Sequence, residues 1–301
     1  MNPTVPKAHP LLKATPKHFL RHQTPFAWYE AGQGHPVICL HGNPSWSILF
    51  RPLFTGLGEG IRVISMDQLG CGQSGTPKGE YGWNLDSRMA DFGAFVDHVA
   101  PGQKVSLVAH DWGGMIATSW AVRNPDRVAS MVLMNTAGFP MPKEKSLPRT
   151  IGWCRAPLIG PLLTRGLNAF LRGAIRYGTH KPLAPEVAAA YLAPHDNWAR
   201  RRSIQEFVND IPLNQSHPSW QTMVETQNGL CLLKDKPILL PWGQLDFVFD
   251  DDYLNEFQLH FRNARPIAYP KAGHWLLEDE PEAITGEIRQ FLHESVLGSV
   301  P

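Results

Sequence analysis

The chain has 301 residues, of which 43% are hydrophobic and 18% charged, with 28 Lys or Arg and 27 Asp or Glu. This length and apolar content predict one large α/β domain with a substantial core. The net charge of +1 and the lack of any run of like charges argue against a nucleic-acid partner. The chain shows neither the apolar stretch of a signal peptide near its start nor the roughly 18 apolar residues of a membrane span. We therefore expect a cytoplasmic protein without a membrane span.

Cysteine usage gives no sign of a disulfide framework or a metal site. Cys39, Cys71, Cys154 and Cys231 lie far apart, with no Cys-x-x-Cys or Cys/His ligand spacing. Two of them fall in or beside strand and loop motifs of the core. This distribution predicts buried free thiols and no structural metal.

Short apolar runs alternate with helical patterns along the chain. The runs that predict buried strands are 36–40, 61–66, 105–109, 130–134, 237–242 and 266–269. Helices are predicted at 84–100, where apolar residues recur at helical spacing, at 115–122, and from Pro281 onwards. This alternation predicts a mostly parallel sheet covered by helices on both faces, with the active site beyond the carboxyl ends of the strands.

One long stretch, residues 139–216, breaks this alternation. It contains helical segments rich in Leu, Ala and Arg, interrupted by prolines, and no convincing strand. A connection of some eighty residues without a strand is longer than is usual in an α/β domain. The alternative interpretation is that these segments are long connecting helices of the main domain. We therefore predict a helical cap at 139–216, inserted into an α/β core formed by 1–138 and 217–301.

A nucleophile elbow is predicted at 109–114, where Ala-His-Asp-Trp-Gly-Gly joins a strand to a helix. In this turn the middle side chain is held exposed at the top of the sheet, and small neighbours are needed because the backbone turns back tightly. The middle residue is Asp111, where such turns usually have serine. A carboxylate needs no base to activate it and is suited to displacing a leaving group from saturated carbon. We therefore predict Asp111 as a nucleophile rather than as a helix cap.

His274 and Asp246 follow Asp111 in the chain order nucleophile, acid, histidine. Each comes in a loop directly after a predicted strand, so that His274 can reach the elbow and Asp246 can bond its other ring nitrogen and fix the tautomer. The aspartates at 250–252 are alternatives for the acid, but Asp246 comes nearest the strand end. Asn135, at the end of another strand, cannot act as a charged partner because it is an amide.

The segment 41–46, His-Gly-Asn-Pro-Ser-Trp, supplies the third part of the predicted site. The loop after this strand gives one backbone N–H of an oxyanion hole, and the residue after the nucleophile, Trp112, gives the other. Asn43 and Trp112 also carry neutral side-chain N–H donors beside Asp111, which suits the stabilisation of a departing anion. The alternatives are a turn role for Asn43 ahead of Pro44 and a packing role for Trp112.

Three other features are interpreted as structural. The loop 67–74 is rich in glycine, but no phosphate-binding lysine follows it, so we interpret it as a tight connection. Tyr177 and Tyr191, in the predicted cap, are interpreted as packing or surface residues.

Together these segments resemble the haloalkane dehalogenases of the α/β-hydrolase fold over nearly the whole chain. The segments that carry the resemblance are 41–46, 110–114 (His-Asp-Trp-Gly-Gly), 135–140 (Asn-Thr-Ala-Gly-Phe-Pro), 242–243 (Trp-Gly) with Asp246, and 273–274 (Gly-His). The resemblance implies a mostly parallel eight-stranded sheet with an inserted helical cap. It also implies Asp111 as nucleophile, His274 as base, Asp246 as acid, and Asn43 with Trp112 as the halide-binding pair. The placement of the acid at Asp246 and of the second halide donor at Asn43 resembles the pattern of the third subfamily of these enzymes.

The resemblance implies an enzyme that converts a small apolar haloalkane to an alcohol and a halide ion without a cofactor. Asp111 would form an alkyl-enzyme ester, and His274 would activate the water that hydrolyses it. Because His274 must be neutral to act as a base, we expect activity to fall below about pH 6. The resemblance is also consistent with homo-oligomers.

Three alternative functions fit parts of the sequence. The motifs, including 247–250 (Phe-Val-Phe-Asp) and 209–213 (Asn-Asp-Ile-Pro-Leu), also resemble the cis-β-lactone decarboxylases of olefin biosynthesis, which share the Asp nucleophile. Epoxide hydrolases are more distant; they need two cap tyrosines and usually carry an aromatic residue where Asn43 stands. A non-catalytic binding protein is disfavoured because Asp111, Asp246 and His274 are all present.

Overall fold

The computed structural model describes residues 9–77, 80–142 and 144–298. Each of the predicted ranges 1–138, 139–216 and 217–301 therefore includes a few residues that lie outside this description. Residues 1–8, part of the segment in which no signal peptide is expected, also lie outside it. Eight strands form one sheet, and they are β1 (Lys17–Arg21), β2 (Thr24–Gly32), β3 (His35–Leu40), β4 (Ile61–Met66), β5 (Val105–His110), β6 (Val128–Met134), β7 (Ile238–Gly243) and β8 (Arg265–Tyr269).

The sheet is mostly parallel, as the alternation of strands and helices predicts. Its strand order is β1-β2-β4-β3-β5-β6-β7-β8. The pairs β1–β2 and β2–β4 are antiparallel, and every other pair is parallel. Because β3 and β5 to β8 run in the same direction, their carboxyl ends meet at one edge, where the loops after them can share a site.

Burial makes some strands easy to recognise in the sequence. All six residues of β5 and of β7 are buried, and these strands appear in the sequence as continuous apolar runs. Strand β1 is largely exposed, pairs only with β2 at the edge of the sheet, and has no such run. Strand β2 was not predicted although residues 25–29 (Pro-Phe-Ala-Trp-Tyr) form an apolar run that is largely buried.

Twelve α-helices accompany the sheet in the described parts of the chain. They are α1 (Arg51–Gly56), α2 (Leu85–Val99), α3 (Trp112–Arg123), α4 (Arg149–Arg155), α5 (Ile159–Pro161), α6 (Ala169–Tyr177), α7 (Pro185–Leu192), α8 (Arg202–Asn209), α9 (Trp220–Gly229), α10 (Asp251–His260), α11 (Leu276–Asp279) and α12 (Pro281–Leu292). Helix α1 packs on α12, and α3 packs on α2 and α9, so these helices flank the sheet. The predicted helices at 84–100, at 115–122 and after Pro281 correspond to α2, α3 and α12.

The connection between β6 and β7 is helical and includes α4 to α9. It contains no strand in its described residues, 135–142 and 144–237. Ile151, Cys154 and Val208 form a small apolar cluster of their own, apart from the main core. This arrangement agrees with an inserted helical cap, although the division at 139 and 216 stays a prediction.

The structure bears on two expectations from the composition, namely buried free cysteines and the lack of a membrane span. All four cysteines are free, and three are buried, but Cys231 is exposed, which the expectation of buried thiols did not foresee. Its position in the turn after α9 turns the side chain away from the core. No helix in the described parts of the chain is long and apolar enough to cross a membrane.

Candidate active site

Asp111 lies between β5 and α3 in a strained backbone conformation, with φ 54° and ψ −130°. A positive φ is costly for a residue with a Cβ atom and persists only where the surroundings enforce it. Here the turn is tight: a Cβ atom on Gly113 would lie 2.0 Å from the carbonyl oxygen of Leu40 in β3. The Thr136 hydroxyl also donates a 2.5 Å hydrogen bond to the Asp111 carbonyl. The strand, tight turn and helix form the elbow that the sequence predicted.

One oxygen of the Asp111 carboxylate is already held by a backbone donor. The Asn43 backbone N–H donates to Asp111 Oδ1 at 2.6 Å. The backbone N–H of Trp112 also stabilises the ionised carboxylate. One of the two predicted oxyanion-hole donors, the Asn43 N–H, is therefore engaged in the resting site by Oδ1 of Asp111 itself. This leaves Oδ2 as the oxygen directed toward His274 and the cavity.

The structure brings the three predicted catalytic residues together. His274 Nδ1 lies 2.8 Å from Asp246 Oδ2, and His274 Nε2 lies 3.7 Å from Asp111 Oδ2. The backbone N–H of Val248 donates to Asp246 Oδ1 at 2.7 Å, which orients the acid. All three side chains are buried. A water molecule or substrate would react in the wider gap, the one between His274 Nε2 and Asp111 Oδ2.

Burial and mutual charge shift the pKa values of Asp111 and His274. Burial is the largest influence on Asp111 and raises its pKa to about 6, although His274 and the backbone N–H groups act in the opposite direction. Burial lowers the pKa of His274, but the charge and hydrogen bond of Asp246 and the charge of Asp111 raise it more, so that it lies above 6.5. Asp111 is therefore ionised at neutral pH, and His274 takes up a proton at a higher pH than a free histidine does.

The competing aspartates are committed elsewhere. Asp250 and Asp252 both pair with Lys145, and the Gln244 side chain donates to Asp251 at 3.4 Å. Geometry therefore selects Asp246, as the order along the chain suggested.

Asn135 has a structural role at the carboxyl end of β6, on the edge of the sheet where the candidate site lies. Its Oδ1 accepts from the Gly243 N–H at 2.8 Å, and its Nδ2 donates to the carbonyls of Gly243 at 3.0 Å and Phe249 at 3.1 Å. Asn135 thus ties the end of β6 to both ends of the loop that carries Asp246.

An apolar cavity of about 350 Å³ opens above the Asp111 carboxylate. Residues of α4, α6 and the loops after β6 and β7 line it together with the candidate site. Apart from Asp111 and His274, its side chains are almost all apolar or aromatic. The cavity is therefore suited to an apolar molecule that presents one reactive carbon to Asp111.

Asn43 and Trp112 both line this cavity beside Asp111. Trp112 is buried against the ring of Phe207 in α8, with ring centroids 5.5 Å apart. The Asn43 Nδ2 group lies 3.4 Å from the Ile204 carbonyl, a weak bond that leaves it free to turn toward a ligand. Both residues therefore border the cavity in addition to their packing contacts.

The two cap tyrosines have different positions. Tyr191 is fully buried, stacks on Trp275 and donates to Glu278 at 2.6 Å. Tyr177 is largely exposed but lines the outer part of the cavity. Tyr191 is a packing residue as predicted, and the two phenols do not form a pair above Asp111. In the loop 67–74, Asp67 accepts from the N–H groups of Ser47 and Gln73, which agrees with a structural role.

Two supporting residues were not predicted. His110 lies 2.8 Å from the His274 carbonyl through Nε2, and burial keeps its pKa well below 6.5, so it is neutral and donates. Asp279 accepts from the N–H groups of Gly273, His180 and Lys181, and so joins the loop of His274 to the segment after α6. His110 stands inside the elbow motif, which was the available signal. Nothing in the local sequence distinguishes Asp279 from a helix-terminal acid.

Comparisons with known proteins agree with this architecture. A sequence profile of the α/β hydrolase fold matches residues 35–281. The chain is 36% identical over 282 residues to a cis-3-alkyl-4-alkyloxetan-2-one decarboxylase of Shewanella oneidensis, covering 93% of this chain and 89% of that one. It is 31% identical over 264 residues to haloalkane dehalogenase 2 of Mycobacterium tuberculosis, covering 87% and 89%. The crystal structure of a haloalkane dehalogenase from Agrobacterium tumefaciens C58 matches with a TM-score of 0.86 and 26% identity, covering 96% and 100%.

The chain therefore belongs to the α/β-hydrolase fold family of enzymes. Within that family it is similar both to the haloalkane dehalogenases and to the lactone decarboxylases, as the sequence motifs indicated. The predicted mostly parallel eight-stranded sheet with flanking helices is confirmed.

Proposed function

We propose that Asp111 attacks a saturated carbon of an apolar substrate, and that the preferred substrate is a cis-3,4-dialkyl β-lactone, which the enzyme converts to an alkene and carbon dioxide. The observation that carries the proposal is the placement of Asp111. Its Oδ1 is held by the Asn43 N–H at 2.6 Å, while Oδ2 faces a cavity lined almost entirely by apolar side chains. A carboxylate presented in this way is a nucleophile toward carbon and has few polar neighbours to neutralise it.

The lactone reaction balances without water or a cofactor. Asp111 Oδ2 attacks the saturated ring carbon that is bonded to the ring oxygen. The bond between that carbon and the ring oxygen breaks, which gives an alkyl ester of Asp111 and a free substrate carboxylate. The bond between this carboxylate and its neighbouring carbon then breaks, carbon dioxide leaves, and the electron pair forms the alkene as Asp111 departs. The carboxylate of Asp111 is regenerated, and His274 serves as a neighbouring positive charge rather than as a base.

Two observations favour the lactone over the haloalkane. The decarboxylases of Shewanella oneidensis and Xanthomonas campestris are each 36% identical to this chain, compared with 31% for the mycobacterial dehalogenase. The cavity also extends from Asp111 past α4 and α6, and so offers apolar surface for two alkyl chains on one ring. The alkyl substituents of the lactone would be bound through burial of apolar surface rather than through polar contacts.

Haloalkane dehalogenation is the second candidate, and the position of Trp112 and Asn43 favours it. Both line the cavity beside Asp111, where their neutral N–H groups can stabilise a departing halide. In this reaction the alkyl ester is hydrolysed: His274, held by Asp246 at 2.8 Å, deprotonates a water that attacks the ester carbonyl. The alcohol, a halide ion and a proton are released. Epoxide hydrolysis is disfavoured because Tyr191 is buried on Glu278 instead of facing the cavity.

The experiment that tests the proposal compares two substrates on the same enzyme. A cis-dialkyl β-lactone is assayed for alkene release and a bromoalkane of matched chain length for bromide release. We expect the lactone to have the higher kcat/KM. A higher value for the bromoalkane would make dehalogenation the function.

Turnover in H₂¹⁸O separates the two chemistries. Ester hydrolysis places water oxygen in the Asp111 carboxylate, whereas alkene formation returns Asp111 without exchange. Mass spectrometry of the peptide that contains Asp111 should therefore show label after turnover of the bromoalkane and none after turnover of the lactone. Label after lactone turnover would contradict the fragmentation described above.

A further inference from the structure

The outer surface of the cap exposes an unusual group of large apolar side chains. Seven of them lie within the segment 153–198, and we refer to six of these, all except Tyr177, as the cap patch: Trp153, Leu158, Ile159, Leu162, Leu167 and Trp198. Scattered exposed apolar residues are ordinary, but a contiguous group marks an interaction surface. The candidate active site does not account for these residues, because Trp153 alone among them lines the cavity.

Two members of the cap patch, Leu162 and Trp198, are neighbours in the fold. A Cβ atom added to Gly166 would lie 3.2 Å from Leu162 and 3.7 Å from Trp198, so these two side chains border the same spot. The Arg165 guanidinium lies 4.4 Å from the centre of the Trp198 ring. Helix α5, which carries Ile159, also packs against α4, which carries Trp153, and against the turn 162–166, which carries Leu162. The segments that carry these three residues are therefore adjacent.

Leu158 is held outward at a cost in backbone energy. Its φ is 66°, in the left-handed region that glycine favours, and its side chain is 88% exposed. A leucine in this conformation costs of order 1 kcal/mol or more. Such a residue, with most of its apolar surface in solvent, indicates that something outside the monomer covers it.

The same part of the chain carries an excess of positive charge. Residues 153–198, the segment of the cap patch, contain five Lys or Arg and two acidic residues, Glu186 and Asp196, and the preceding stretch 144–152 adds Lys145 and Arg149 against Glu144, whereas the whole chain has 28 basic and 27 acidic residues. Arg149, Arg172 and Arg176 are exposed, and none of them forms an ion pair with a residue that the structure describes. Exposed apolar side chains and exposed, unpaired arginines in one part of the chain are complementary to a surface with an apolar interior and anionic headgroups.

The cap patch also continues into the mouth of the cavity. Trp153 is 61% exposed and lines the cavity, as does the exposed Tyr177. A surface that covered the cap patch would therefore also cover the entrance above Asp111. An apolar substrate dissolved in that surface could enter the cavity without passing through water.

We propose that the cap patch docks on an anionic lipid bilayer, with its apolar side chains in the interface and its arginines on the lipid headgroups. The docked enzyme takes its dialkyl substrate directly from the lipid phase. This second statement rests on the proposed function, whereas the docking itself does not.

Vesicle sedimentation tests the docking with the full chain. Wild-type protein is mixed with vesicles of phosphatidylglycerol and phosphatidylcholine, or of phosphatidylcholine alone, at low and high salt. We expect binding to the anionic vesicles only, weakened by salt. Binding should fall about tenfold for Leu158→Ser and about 30-fold for Arg172→Glu. Activity on a short, water-soluble substrate should not change in either variant, because neither residue lines the cavity.

Matched surface variants provide the controls. Leu259→Ser and Arg262→Glu alter an exposed leucine and an exposed arginine at the end of α10, away from the cap, and should bind vesicles like the wild type. The proposal is overturned if the wild type does not bind anionic vesicles at low salt, or if the control variants lose as much binding as the cap variants. It is also overturned if ultracentrifugation shows a dimer that Leu158→Ser dissociates, because the patch then covers a second copy. Since sedimentation needs no turnover, vesicle binding by a protein inactive on lactones would leave the docking intact and refute the proposed function alone.

Discussion

Asn135 holds Gly243 from both sides of its peptide group, accepting from its N–H at 2.8 Å and donating to its carbonyl at 3.0 Å. Gly243 ends β7, and Asp246 follows three residues later. The amide therefore sets the starting point of the loop that carries the proposed acid. Its φ of 33° is in the region that asparagine tolerates better than most residues.

We predict that Asn135→Ala lowers the free energy of unfolding by about 2–3 kcal/mol, because it leaves buried groups of Gly243 and Phe249 unpaired. Urea denaturation measures this change. Asn255→Ala, at an exposed site on α10, is the control and should change stability by no more than about 0.5 kcal/mol. Equal losses in both variants would show that Asn135 is not a clamp.

Gly42→Ala should remove most of the activity. A Cβ atom at position 42 would lie 1.9 Å from Asp111 Oδ1, so the nucleophile or the oxyanion loop must move. We expect kcat to fall by about 100-fold or more, because a shift of about 1 Å is sufficient for such a loss. Gly286→Ala in α12, where an added Cβ meets nothing within 4 Å, should retain full activity and gain up to about 1 kcal/mol of stability. Full activity in Gly42→Ala would place the reacting oxygen elsewhere.

Asp246→Asn tests the role of His274 separately from its position. The amide preserves the shape of the side chain but removes the charge that faces His274 Nδ1 at 2.8 Å. Hydrolysis of a bromoalkane should slow by about 10³-fold or more, while the first bromide is still released as a burst. Alkene release from a lactone should fall much less, since that reaction needs no base. Rapid-quench kinetics measure both, and equal losses would contradict this division.

The pH profile should separate the two chemical steps. Displacement by Asp111 requires its ionised form, so the burst is lost as pH falls through about 6. Ester hydrolysis requires neutral His274. Burial lowers the pKa of His274, but the charge and hydrogen bond of Asp246, which persist in the ester, raise it, so we expect this step to be lost at a higher pH than the burst. The expectation from sequence alone, a loss below about pH 6, assumed a His274 with its ordinary pKa, and the raised pKa moves that expectation to a higher pH. Measuring the burst and the steady-state rate against pH checks the order, and a hydrolytic limb at the lower pH would refute it.

Asp111 and Asn135 could be located from the sequence because each comes directly after a buried strand, β5 or β6, and Asp246 follows the buried β7 by three residues. His274 comes five residues after β8, a partly exposed strand, and its order along the chain was the stronger signal. The shared direction of these strands places all four residues at one edge. Strand β1 could not be predicted because it is largely exposed, whereas β2 was missed although residues 25–29 form an apolar run.

Other features depend on contacts between distant residues. The Asp279 carboxylate accepts from three N–H groups, one 6 positions away and two 98 and 99 positions away, which no local pattern records. The hydrogen bond from the Asn43 N–H to Asp111 Oδ1 likewise joins residues that are 68 positions apart. The cap patch was invisible in the sequence because exposed and buried leucines look alike in a helical segment.

Trapping the covalent ester tests most directly the claim that Asp111 is the nucleophile. His274→Phe removes the base while leaving Asp111 and its backbone donors in place. After incubation with a bromoalkane, the intact protein should gain the mass of one alkyl group in place of a proton, located on the peptide that contains Asp111. The double variant with Asp111→Asn should gain none. An unmodified Asp111 in a His274→Phe protein that still releases bromide would contradict the proposal.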